Sequence, residues 1–124
     1  NAFTSSLVNG DFDLFYRNWI ADFPDGDNFL YPLYHSESTG LKGNYPRYAQ
    51  PLFDECIEAS RKEVDSDKRA ESLRRCARMA REDASRILLW FKTKNFATYP
   101  AVQNFKPFPM YNSNKYLHVN LLTQ

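Results

Sequence analysis

The sequence is poor in the residues that usually announce chemistry. It has two cysteines and two histidines among 124 residues. Two cysteines build neither a disulfide scaffold nor, by themselves, a zinc site. His35 and His118 lie far apart in sequence and match no metal-binding spacing, so each reads as a surface or hydrogen-bonded core residue. An excess of either charge is also missing: 16 Lys and Arg stand against 15 Asp and Glu, for a net charge of +1. Nucleic-acid binders usually carry a clear basic excess, so that class of partner is not expected. No apolar run approaches the roughly 20 residues needed to cross a bilayer. The four glycines form no phosphate-cradling loop. The patterns G-x-S-x-G, H-E-x-x-H, Walker A and G-x-G-x-x-G are all absent. Without a nucleophile–base constellation we expect neither an enzyme nor a cofactor. There is no signal peptide, and the chain starts at Asn1 without Met. We read it as a piece of a longer protein, so the missing signal says nothing about location.

What is present is aromatic. Ten Phe, eight Tyr and two Trp make up 16% of the chain, more than a core of this size needs. Surplus aromatics often line ligand surfaces. The length suits one domain rather than two. Residues 1–9 read as a short helix stopped by Asn9-Gly10. "DFDLFYRNWIADF" (11–23) reads as a strand, apolar enough to be buried on both faces. Pro24 and Gly26 break it, and a short helix is expected from Asn28 through "NFLYPLYHS". A polar loop follows. From Pro51, the residues Leu52, Phe53, Cys56, Ile57 and Ser60 mark one face of a helix. "VDSD" ends it, and Asp65 or Ser66 caps the next helix, with Asp67 in its first turn. That helix carries a stripe of Ala70, Leu73, Ala77, Ala80 and Ala84, with Cys76 and Met79 on its shoulder. The short link predicts an antiparallel hairpin. "RILLWFKTKNFATYP" (86–100) reads as a second strand, and "YLHVNLL" (116–122) as a third, short one. Strand, helices and strand in that order predict an α/β fold with the hairpin packed on a sheet.

"WIADFPDGDNF" (19–29) holds three aspartates within six residues. A calcium loop starting at Asp25 would put Ser36 where the bidentate Glu belongs, so calcium is not favoured. Asp25 or Asp27 is expected to cap the helix that follows. Asp22 is left at the end of the predicted strand, where ligands of open α/β sheets gather. A carboxylate beside Trp19 and Phe23 would suit an ammonium group, by charge pairing and cation–π contact. An ordinary salt bridge or cap is the plainer alternative. Arg74, Arg75, Arg78 and Arg81 read as a solvated helix face, balanced by Glu71, Glu82 and Asp83. Cys56 and Cys76 stand at matching distances from the hairpin turn. They are read either as two small buried hydrophobes, the plainer case, or as a disulfide.

Taken together, "GDFDLFYRNWIADFPDGDNFLYPLYHS", "PLFDECIEAS", "DSDKRAESLRRCARMAREDASRILLWF" and "VQNFKPFP" resemble the family 5 solute-binding proteins of ABC transporters, the oligopeptide- and dipeptide-binding proteins. The motifs occur in the family's order and cover almost the whole chain. The resemblance implies a non-enzymatic, two-lobed protein that closes on its ligand, in the type II periplasmic-binding-protein-like fold. Residues 1–95 would be part of the C-terminal ligand-binding lobe. Near Lys92–Asn95 the chain would cross back, and 96–124 would return toward the N-terminal lobe. Trp19 matches the family's ligand-contacting Trp, and Asp22 the Asp that pairs with a peptide's α-ammonium. Implied partners are a peptide ligand and the permease subunits of an importer. The implied location is periplasmic or extracytoplasmic, with any membrane attachment made by a lipid anchor outside this chain.

The resemblance also covers members that bind nickel complexes, sugars or haem, and regulators that use the fold to sense a ligand. Three departures stand out. Gly26 replaces a usual Pro, which predicts a looser turn. Ser85 and Leu88 replace two prolines, which predicts that the helix runs on. Cys56 and Cys76 replace Leu and Ala, and an exported protein permits a disulfide there. An isolated piece with its neighbouring lobe missing is expected to expose apolar surface and self-associate.

Overall fold

The helices form where the sequence supplies their stops as well as their faces. A computed structural model describes residues 1–93, 95–107 and 118–122. α1 spans Ala2–Asn9. The Asn1 side chain accepts the Thr4 N–H at 3.0 Å, and Gly10 closes the helix in the left-handed region at φ 85°. Arg47 then donates to the carbonyls of Val8 and Asn9 at 3.1 and 2.8 Å, satisfying acceptors at the helix end.

α2 runs Asp27–Tyr34 and contains Pro32. α3 (Pro51–Lys62) starts with Pro at its first position, where a missing N–H is harmless. α4 (Ser66–Glu82) is capped by Asp65, whose carboxylate accepts the N–H groups of Asp67 and Lys68. Cys56 and Cys76 form a disulfide between α3 and α4, with Cα atoms 5.8 Å apart. Both were open to two readings; the bonded one holds.

The chain divides into two units. Asn1–Trp19 with Asp25–Ile87 make the first, and Ile20–Pro24 with Leu88–Gln124 the second. The core of the first joins Leu30 and Tyr34 of α2, Phe53, Cys56 and Ile57 of α3, and Cys76 and Ala80 of α4. The hairpin therefore packs on a helix, not on a sheet as expected. In the second unit, β1 (Val102–Gln103) pairs antiparallel with β2 (Asn120–Leu121). This is the only strand pair among the described residues. β2 falls within the third predicted strand, whose Tyr116 and Leu117 lie outside them. The mixture of helices with a small sheet is compatible with an α/β class.

The other two predicted strands are not formed. Residues 11–23 have no regular structure, and neither do the described residues of 86–99. Leu14 is 84% exposed, against the expectation that the first of them is buried on both faces, and Phe91 of the second is fully exposed. A strand needs neighbours to take its N–H and C=O groups. None pairs with these segments among the described residues.

Two helix faces also differ from expectation. Leu52 is exposed on α3. On α4, Cys76 and Ala80 are buried, with Leu73 and Met79 packed against the same core, while Ala77 is exposed. The buried stripe is thus turned toward the disulfide. α4 also stops at Glu82 instead of running on through Ser85, and Ala84 takes a positive φ of 50° just beyond it.

Candidate functional site

The turn from Trp19 to Phe29 owes its shape to its acids and to one proline. Pro32 has no N–H, so the Asn28 carbonyl, four residues earlier in α2, gets no helical partner from it. The indole Nε1–H of Trp19 donates to that carbonyl at 2.8 Å. Trp19 is half-buried, and its indole also comes close to the backbone at Gly43. An indole N–H that has found an acceptor leaves the ring with a fixed pose.

Asp25 and Asp27 face inward, to arginines. The Asp25 carboxylate accepts the Asp27 N–H at 2.8 Å, at the start of α2. It also takes two bonds from Arg69, at 2.7 and 3.0 Å. The Arg69 guanidinium, bonded to Asp25, holds its carboxyl below the usual range. Asp27 is buried and takes two bonds from Arg61, at 2.9 and 3.0 Å. The same guanidinium lies 3.6 Å from the centre of the Tyr31 ring. Neither acid is the helix cap that was expected: Gly26 holds that position without a side-chain bond, Asp25 bonds the Asp27 N–H from one residue before it, and both acids tie α2 to the hairpin. Their arginines, one in the last turn of α3 and one in the first turn of α4, went unnoticed in the sequence. The available signal was their position: each stands four residues from Asp65, in step with two acids two residues apart.

Asp22 and Phe23 are both exposed. They belong to the second unit, whereas Trp19 belongs to the first. The structure therefore seats Trp19 with Asn28, Pro32 and Gly43, and shows Asp22 on the surface.

Several buried polar residues of the first unit are engaged with the backbone. Asn44 is fully buried; its Nδ2 donates to the carbonyls of His35 and Tyr48 at 3.0 and 2.7 Å, and its Oδ1 accepts the Tyr48 N–H at 3.1 Å. His35 is buried, stacks on Tyr31 and accepts the Glu37 N–H through Nδ1 at 3.1 Å. Its Nε2 lies 3.4 Å from Glu58. Arg86 donates to the carbonyls of Leu33 and Gly43 at 2.7 and 3.2 Å, and burial lowers its pKa. His118 is exposed. No group of three or more metal-ligating side chains occurs among the described residues. The α4 arginines 74, 75, 78 and 81 are exposed, and Glu71 pairs with Arg74 and Arg78.

No family model matches the chain. Two curated proteins do. The chain is 27% identical over 101 residues, 82% of its length, to the probable D,D-dipeptide-binding periplasmic protein DdpA of Escherichia coli (strain K12). It is 28% identical over 101 residues to the probable di/tripeptide-binding protein 5 of Pseudomonas aeruginosa (strain UCBPP-PA14). The chain spans about a fifth of either relative, 20% and 19% of their lengths. Both names describe binding proteins, not enzymes, and the first is periplasmic. No helix among the described residues is long and apolar enough to cross a membrane. These matches support the resemblance read from the motifs: the chain is similar, at a distance, to the peptide-binding proteins of solute-binding family 5.

Proposed function

We propose that this chain is a piece of the substrate-binding component of an ABC importer, one that takes up dipeptides or oligopeptides. The observation that carries this reading is the match to two peptide-binding proteins over 82% of the chain. In this reading, residues 1–95 contribute to the C-terminal lobe and 96–124 return toward the other lobe, which closes over the ligand. Asp22 pairs with the peptide's α-ammonium, while Trp19 and Phe23 lie against the ligand. A buried ammonium without a partner would cost several kcal/mol, so a fixed carboxylate anchors the end common to all peptides. Side-chain pockets can then stay loose and accept many sequences. The two apolar segments that pair with no strand among the described residues fit a lobe whose sheet is completed by other parts of a longer chain. The loaded protein would deliver its peptide to permease subunits outside the cytoplasm, held near the membrane by a lipid anchor beyond this chain.

Calorimetric titration of a tri- to pentapeptide pool into the full-length protein tests the reading. Wild type should bind, and Asp22→Asn should lose on the order of 2–5 kcal/mol. Equal binding by both would reduce Asp22 to a surface acid. If neither binds, peptides are the wrong cargo.

A further inference from the structure

Trp19 is seated from two sides. On one side is the Asn28 carbonyl, which accepts the indole N–H at 2.8 Å and can take no bond from Pro32. On the other is Gly43, buried and at φ 129°. A Cβ added to Gly43 would stand 2.7 Å from the Pro32 carbonyl oxygen and 3.3 Å from Cζ3 of Trp19. The first contact is to backbone in α2 and cannot yield without moving the helix. The second requires the indole to give way. Gly43 is itself held down, because Arg86 bonds the Gly43 and Leu33 carbonyls together. The loop, the end of α2 and the indole therefore close on a space that admits hydrogen but no methyl group.

We propose that Gly43 is a positioning residue that sets the pose of Trp19. Its role at the ligand rests on the reading above, in which Trp19 lies against the peptide. Gly40 supplies the control. It too has a positive φ, 76°, but nothing lies within 4 Å of an added Cβ. Gly43→Ala and Gly40→Ala both strain the loop backbone; only the first intrudes on Trp19.

The test uses the full-length protein with 15N-labelled indoles, the Trp19 signal being identified by its loss in Trp19→Phe. Gly43→Ala should shift that signal and speed exchange of its N–H, and Gly40→Ala should do neither. Peptide affinity should fall on the order of tenfold in Gly43→Ala alone. An unchanged Trp19 signal in Gly43→Ala overturns the proposal. So does an equal shift in Gly40→Ala, which would put the cause in loop strain. If Trp19 moves while affinity stays the same, Gly43 keeps its role and Trp19 loses its place at the ligand. If wild type binds no peptide, the functional reading fails and the indole signal still decides on Gly43. Should Gly43→Ala fail to fold, a nuclear Overhauser contact between the Gly43 Hα protons and the indole in wild type decides, and its absence overturns the proposal.

Discussion

Removing the disulfide should destabilise the hairpin by an amount that follows from the chain it closes. Cys56 and Cys76 are 20 residues apart in sequence. In the chain-entropy treatment, a loop of that length restricts the unfolded ensemble by about 3 kcal/mol at 25 °C. A small domain is stable by only roughly 5–15 kcal/mol, so this is a large share. It corresponds to a fall in Tm on the order of 10–25 °C. The variant of choice is Cys56→Ala with Cys76→Ala. Serine would place hydroxyls in the core, where Cys56 and Cys76 are buried against Phe53, Ile57 and Ala80. Alanine leaves a small void and adds a modest packing loss.

The assay is urea unfolding followed by far-ultraviolet circular dichroism. Oxidised wild type, wild type in reductant and the double variant are compared. The reduced and double-variant midpoints should fall together, well below the oxidised one. Because both sulfurs are buried, native wild type should be reduced slowly, at a rate set by opening of the hairpin. A double variant within about 0.5 kcal/mol of oxidised wild type would refute the reasoning, since side-chain packing alone would then fix α3 against α4.

Two further predictions concern pH. The Asp25 pKa is lowered mainly by its bonds to Arg69, so its contribution is complete above the unfolded carboxylate pKa. It is lost as pH falls through the lower folded value, and Asp25→Asn should flatten acid unfolding below pH about 4 and cost on the order of 1 kcal/mol at neutrality. Tyr48 moves the other way: burial, then its hydrogen bond to Asp83, raises its pKa above the ordinary 10.0. Its contribution is complete below that value and is lost as pH rises through the folded one. Stability should therefore decline above pH about 10, less steeply in Tyr48→Phe, as urea midpoints at stepped pH would show.

What could be read from the sequence was whatever a short window decides. Asn9-Gly10 stops α1, Asp65 caps α4, and the spacing of Phe53, Cys56, Ile57 and Ser60 gives the buried face of α3. The face of α4 was misread because alanine, a strong helix former, fits the core and the surface equally well. Four alanines drew the stripe toward Ala77, while Leu73, Cys76 and Ala80 carry it. The acids of the turn were read locally as caps. Their arginines lie 44 and 34 residues away, and periodicity does not report such pairings. Trp19 was singled out by resemblance, and its seat had a physical signal: a proline inside α2 cannot bond the carbonyl four residues earlier, which the indole N–H does.

The two unformed strands follow from the same difference between local and non-local demands. A helix satisfies its own backbone, so the disulfide can join α3 to α4 while an apolar face and two aspartate–arginine pairs hold the hairpin to α2. Residues 11–23 and 86–100 have the composition of strands, the first apolar enough for cover on both faces, yet composition supplies no ladder. Among the described residues the ladder is a single one of two residues, and it includes neither segment. The exposed Leu14, Leu88 and Phe91 mark where strand neighbours would add the most buried area. Helices α2, α3 and α4 are therefore held by contacts among the described residues. The apolar extended segments are the part whose structure depends on what lies beside them.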